Sequence, residues 1–327
     1  MKNSNKKEKK YFNKENLSQY LIYTIEKYYW IFIIALPIIV YFHSIFFGFI
    51  NFDDTNIILG LTENPQTATF KYAFSDAYMN FYRPLQTVTF IIENYFAGTS
   101  PALYHITNLI LHTICSLLVF FLLKDILKNN IKSFLGSIIF SIHPLFVHTV
   151  IWIPSRGDLL LCLFGLLNFI FFIKYTKTNN LKFLIFNVLA FGLAILSKET
   201  AVIFPILIYF YFFFLNTNSK NYKQLILSTI GWVIFLGIWY YLRSIAIYGG
   251  LDSNVMGITS FVKNIRIIPE VISKFILPLK LQVAPTFSIY NTFAGIFLII
   301  FFIISTFLLK NKSWKLKFLG GFGFFWI

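Results

Sequence analysis

Residues 28–54 read YYWIFIIALPIIVYFHSIFFGFINFDD. An apolar run of spanning length ends in Asn51-Phe52-Asp53-Asp54, so two adjacent carboxylates stand at the edge of a membrane. Charge there is costly unless it has a task. The rest of the chain repeats the apolar part. It has 327 residues, 57% hydrophobic and 20% aromatic, with 42 Phe and 13% charged residues. Repeated apolar runs of spanning length predict an all-α, polytopic membrane protein rather than a soluble one.

Candidate spans are 28–47, 103–123, 131–150, 157–173, 183–197, 200–215, 224–242 and 292–309, with a ninth beginning near Leu316. The chain stops inside this last apolar run, as the N-terminal part of a longer protein would. The spans leave a basic tail at 1–27 and a transmembrane domain over 28–327. The tail carries seven Lys or Arg; the loops at 124–132, 174–182, 220–223 and 310–317 carry three, three, two and four. These 19 of the 28 basic residues fall on one side if every span crosses, and that side is cytoplasmic. The net charge of +15 is therefore a topology signal, and no nucleic-acid partner is expected. Nine of the 13 acids fall outside. Carboxylate chemistry then belongs to the outer face.

Two outer loops are long, 48–102 and 243–291. In the first, Tyr82 to Phe96 reads as an interfacial helix opened by Pro84. In the second, Val262, Arg266, Glu270 and Lys274 recur every four residues, an amphipathic surface helix that Pro269 is expected to bend. Cys115 and Cys162 both fall in apolar runs and read as core residues.

Several residues could carry chemistry. Asp53 and Asp54 could act as base and orienting partner, or together hold a divalent cation, or Asp could simply cap the helix that follows. Arg83, before Pro84, could face a phosphate or snorkel to water. His143-Pro144 ends or kinks the third span, and His148 and Trp152 follow. Arg156 and Asp158 flank Gly157 at the next span's start, where a plain interfacial ion pair is the reading preferred for Asp158. Lys198-Glu199 sits in a tight turn as an anion's partner or a self-neutralising pair, and Arg243 ends the seventh span. His105, Asn108 and His112 form one stripe of the second span, the pattern of helix-to-helix glue. Together these place two acids and several cations at the outer ends of different spans. That suits a reaction at an anionic lipid headgroup: cations hold phosphate and a carboxylate deprotonates an acceptor hydroxyl.

The order Phe52-Asp53-Asp54, Tyr82-Arg83-Pro84-Leu85, Tyr104-His105-Ile106-Thr107-Asn108 with His112, His143-Pro144-Leu145, Trp152 with Arg156 and Asp158, and Ser197-Lys198-Glu199-Thr200 resembles the GT-C glycosyltransferases. It is most similar to the O-mannosyltransferase branch with tetratricopeptide repeats and its bacterial relatives, over roughly residues 45–215. The resemblance implies a GT-C-type helix bundle, a polyprenyl-phosphate sugar donor, and a protein, lipid or glycan acceptor on the outer side. It also implies inversion at the sugar carbon, a catalytic acid within Asp53-Asp54, and phosphate handling by Arg83, Arg156, Lys198 or Arg243. Asp158, Glu199, His143 and His148 complete the expected substrate-binding set, although the family usually has Glu where this chain has His148. A transporter for lipid-linked sugars and a non-catalytic scaffold are the competing readings. A transporter would show paired broken helices near mid-membrane.

Overall fold

The computed structural model describes residues 14–50, 53–64, 66–75, 77, 81–215, 221–247, 262–279, 281 and 286–308; side chains are described from Lys27 onward, those of Thr55 and Thr306 excepted. The ninth span and residues 1–13 of the basic tail lie outside these residues. The architecture is all-α, with no strand among the described residues. The helices are α1 (Lys14–Tyr41), α2 (Gly60–Glu63, continuing a π-helical turn Thr55–Leu59), α3 (Phe70–Ser75), α4 (Pro84–Ala97), α5 (Pro101–Leu127), α6 (Asn130–Ile142), α7 (Val147–Ile151), α8 (Arg156–Thr178), α9 (Leu181–Ser197), α10 (Ile203–Phe210), α11 (Tyr222–Ala246), α12 (Ile267–Ile276) and α13 (Ile289–Leu308).

Four helical segments are long and apolar enough to cross a membrane: Lys27–Phe46, Pro101–Leu127, Ile153–Thr178 and Tyr222–Ala246. Asn130–Ile142 and Pro144–Ile151 form a further span bent by 42°. The bend falls at His143-Pro144, because proline removes an amide donor and its ring crowds the preceding turn. Leu181–Ser197, Glu199–Leu215 and Ile289–Ser305 are apolar but shorter. Large apolar side chains point outward along the long helices: Phe32, Ile39 and Val40 on α1, and Ile230, Val233 and Ile234 on α11. In water that exposure would be prohibitive; in a bilayer it is the solvated face.

Inside the bundle the polar residues are small or paired. Ser133, Ser137 and Ser141 form a fully buried stripe on α6, and Ser137 Oγ donates to the Ser116 carbonyl of α5 at 2.6 Å. His112 Nε2 meets the Ser141 carbonyl at 2.9 Å. Asn168 on α8 and Asn187 on α9 exchange bonds, each Nδ2 donating to the other's backbone carbonyl, at 2.9 and 2.7 Å. Small residues let these backbones approach, and amides tie them together. Gly165 is a third such contact: a Cβ there would lie 1.8 Å from the Phe204 ring.

The ends of the helices sort into two groups. Lys177 at the end of α8 pairs with Asp125 at the end of α5, and Gln224 at the start of α11 donates to Tyr175 and Asn179. These join three of the loops that the charge count places on one side. At the other end of the same bundle lie Arg83, Glu93, Arg156, Asp158, Lys198 and Glu199, linked to one another as described below.

In the second long loop, helical residues 262 and 263 are followed by a turn at 264–266, and a helix then runs from Ile267 to Ile276. Pro269 sits in the first turn of that helix, where no intrahelical bond is lost, and the interruption of the expected longer helix falls just before it. Glu270 anchors α12 to α13: its Oε1 accepts from Ser288 N at 3.0 Å and Thr292 Oγ1 at 2.8 Å.

Candidate functional site

The site forms where five pieces of backbone meet: the helical start at Asp53 and Asp54, the start of α4, the α7–α8 connection, the start of α8 and the end of α9. Gly157 is the point of closest approach. A Cβ on it would lie 2.5 Å from Gln86 Oε1 of α4 and 3.4 Å from the Ser197 carbonyl of α9. Gln86 Nε2 donates to the Pro154 carbonyl at 2.8 Å, which fixes α4 against the entry to α8.

Asp54 is 1% exposed. Its Oδ2 accepts from the Ile50 amide at 2.8 Å. The bond runs backward to the incoming chain, whereas a helix cap would reach forward to the next turn. Burial raises the Asp54 carboxyl above its ordinary pKa and the neighbouring Asp53 charge adds to this; the Ile50 amide and the Trp152 side chain pull it back. Asp53 is half-buried.

Trp152 carries the site onward. Its ring lies 4.6 Å from that of His148, and His148 in turn feels the charges of Asp158 and Lys198. Lys198 Nζ contacts Asp158 Oδ1 at 2.5 Å. The next residue, Glu199, receives both arms of Arg83, Nε to Oε2 at 3.0 Å and Nη2 to Oε1 at 2.7 Å. Lys198 and Glu199 thus do not neutralise each other, as one sequence reading allowed; each pairs with a different element. Asp158 pairs with Lys198, not with Arg156.

Magnitudes separate these pairs. All four partners in the Arg83–Glu199 and Lys198–Asp158 pairs are between 20% and 41% exposed. Such pairs contribute only about 0–1 kcal/mol each, so an incoming anion can compete for the cation.

Arg156 is different, with no exposed side-chain surface. Its Nη1 donates to Glu93 Oε2 at 2.8 Å, Nη2 to the Tyr104 carbonyl at 2.9 Å and Nε to Asn108 Oδ1. The guanidinium also covers the Phe90 ring at 4.9 Å. The structure thereby places Arg156 inside the joint between α4, α5 and α8, with its donors committed to protein. Glu93 is the partner that sequence reading missed. Its signal was a lone acid inside an apolar helix.

The remaining residues are spread out. His143 sits at the kink, its Nδ1 accepting from the Leu145 amide at 3.2 Å, and stacks on Phe275 of α12 at 4.9 Å. Arg243 lies over the Trp239 ring at 5.7 Å, on the same helix. Among the described residues no carboxylate forms an ion pair with it, and no three His, Cys, Asp or Glu side chains converge as metal ligands. Asp53 and Asp54 remain the pair to which a divalent cation would have to turn.

Residues 95–241 match the family model described as dolichyl-phosphate-mannose-protein mannosyltransferase. That stretch contains His143, His148, Arg156, Asp158, Lys198 and Glu199; Asp53, Asp54 and Arg83 precede it and Arg243 follows it. The protein O-mannosyl-transferase TMTC1 of Homo sapiens is 29% identical over 153 residues, covering 43% of this chain and 17% of the relative. TMTC3 of Homo sapiens is 28% identical over 149 residues, covering 42% and 16%. The protein O-mannosyl-transferase F38B6.6 of Caenorhabditis elegans is 33% identical over 151 residues, covering 44% and 21%. The matched stretch spans only about a fifth or less of these curated relatives. Over that stretch the chain is similar to proteins named as protein O-mannosyl-transferases, the branch of the GT-C glycosyltransferases that its motif order resembles.

Proposed function

We propose that the chain is the membrane part of a glycosyltransferase that moves a sugar from a polyprenyl-phosphate donor to a hydroxyl acceptor, with inversion. The N-terminus is cytoplasmic and the reacting groups lie on the outer face, in keeping with the lysine-rich loops gathered at the opposite end of the bundle. One observation carries the reading. Two exchangeable cations, Lys198 and Arg83, stand on one corner with a buried carboxylate, Asp54, linked to that corner through Trp152 and His148. The cations take the donor phosphate, releasing Asp158 and Glu199, and stabilise the phosphate as it leaves. A carboxylate of the Asp53-Asp54 pair takes the acceptor's proton, and Asp54 is the stronger base because burial raises its pKa. Arg156 is a positioning residue that fixes α4, and with it Arg83. Arg243 and His143 complete the donor path along α11 and α12. The names of the relatives suggest mannose as the sugar and a protein hydroxyl as acceptor.

The bent span at His143-Pro144 favours a second reading, transport of a lipid-linked sugar. Transporters break helices in related pairs, and among the described residues only one pair is bent. The deciding experiment is transfer from a synthetic polyprenyl-phosphate hexose by the purified full-length protein in lipid nanodiscs. Wild type is expected to transfer, and Asp54→Asn to lose at least about a hundredfold, the usual share of a general base. Equal rates in wild type, Asp54→Asn and Asp53→Asn would sink the proposed base.

A further inference from the structure

A cavity of about 310 Å³ opens within the first long loop. That is the low end of the range for small-molecule sites. Arg83 forms one wall, with Phe81 under its guanidinium at 4.5 Å. The facing wall is a stripe of the 53–64 helix: Asn56, Gly60, Glu63 and Asn64. Ile57 and Leu61 of the same helix also line the cavity, whereas the buried Asp54 and Ile58 do not.

The lining selects a ligand class. Arg83 is its one cation and stands at one wall, while the Glu63 carboxylate opposes any anion entering past it. Among the described residues Glu63 forms no ion pair. A carboxylate, two amides and an aromatic ring suit a neutral polyol: hydroxyls donate to Glu63 and exchange bonds with Asn56 and Asn64, and the C–H face of a sugar ring packs on Phe81. We propose that this cavity is a subsite for one hexose unit, either the donor's sugar or the end of a saccharide acceptor. The proposal rests on the glycosyltransferase reading for its choice of ligand.

Gly60 supplies the test. Nothing lies within 4 Å of a Cβ built there, and its φ is not in the left-handed region. Gly60→Leu therefore starts its side chain in open space at the cavity wall, and improves helix propensity. Binding of methyl hexosides to the full chain in nanodiscs is read by saturation-transfer NMR, beside thermal unfolding. Wild type is expected to bind at least one hexoside. Gly60→Leu is expected to melt no lower than wild type yet lose about tenfold or more in affinity, and Glu63→Gln to weaken binding severalfold. Displacement of the hexoside by a polyprenyl-phosphate hexose assigns the cavity to the donor's sugar; simultaneous binding assigns it to a saccharide acceptor. No hexoside binding by wild type, or undiminished binding by Gly60→Leu, overturns the subsite. So does saturation by a Ser/Thr peptide in place of every hexoside. Hexoside binding without sugar transfer counts against the transferase reading and leaves the cavity's assignment standing.

Discussion

Asp54 keeps a carboxylate where 1% of its surface meets solvent. Because burial raises its pKa in the folded state, the stability it contributes is present below the unfolded pKa and lost as pH rises through the folded one. At neutral pH its charge therefore opposes folding. Asp54→Asn, which retains the acceptor for the Ile50 amide, is expected to raise the melting temperature at pH 7, with the gain vanishing in acid. Scanning calorimetry in nanodiscs at pH 7 and pH 3 would check it; a lower melting temperature at pH 7 would show that the amide and Trp152 outweigh burial. By the same sign, the acid limb of transfer activity is expected above the ordinary carboxylate range. Arg156 is the opposite case. Arg156→Met strands Glu93 in an apolar joint and is expected to cost about 3–5 kcal/mol, read by thermal unfolding. Arg156→Lys should rescue little, because one ammonium cannot reach Glu93, Asn108 and the Tyr104 carbonyl in a planar fork. Neither partner was legible at this scale. Sequence shows that Arg156 and Glu93 are charges among apolar residues, but not that a separation of 63 residues closes into a 2.8 Å contact.

At the scale of elements, the periodicities held. The broken span is written in His143-Pro144, the surface helix in Pro84 to Ala97, and the amphipathic helix in the four-residue repeat at Arg266, Glu270 and Lys274. The interruption expected around Pro269 falls at the turn 264–266 just before it, because proline is tolerated in a first turn, where its amide would not have been bonded. Contacts between elements were illegible for a related reason: a glycine states that a close approach is possible, not with what. Gly295 is the sharpest instance. A Cβ there would fall 1.8 Å from the Pro269 carbonyl oxygen, which is backbone and cannot rotate away. Gly295→Ala is expected to lever α12 off α13, costing about 1–3 kcal/mol and exposing the α12 segment to limited proteolysis. Gly165→Ala should be milder, since the Phe204 ring it meets is a side chain.

Across the whole molecule, electrostatics and local propensity disagree, and the membrane wins. Asn129, Asn180 and Asn221 each cap a helix whose early amides belong to Lys132, Lys182 and Lys223. Lysine near a helix N-terminus opposes the helix dipole by about 0.3–1 kcal/mol. Its recurrence at three loops makes sense as retention of positive charge on one side. Cysteine accessibility in sealed vesicles is expected to place Lys177→Cys inside and Glu63→Cys outside. Labelling of both from one side would overturn the alternation of spans, and with it the proposed placement of the reacting groups on the outer face.

The Arg156–Glu93 joint also bears on how the chain is made. Synthesis delivers α4 long before Arg156, and Arg83 waits 116 residues for Glu199. Until then the first loop carries a carboxylate destined for an apolar joint, with nothing to neutralise it. The joint therefore assembles only once α8 has been made, and the proposed reacting corner closes only after α9 and Glu199. A nascent chain released before Arg156 would hold every residue of the Asp53-Asp54 helix and none of its geometry, so quality control that senses an undocked first loop would be reading the completeness of the bundle behind it.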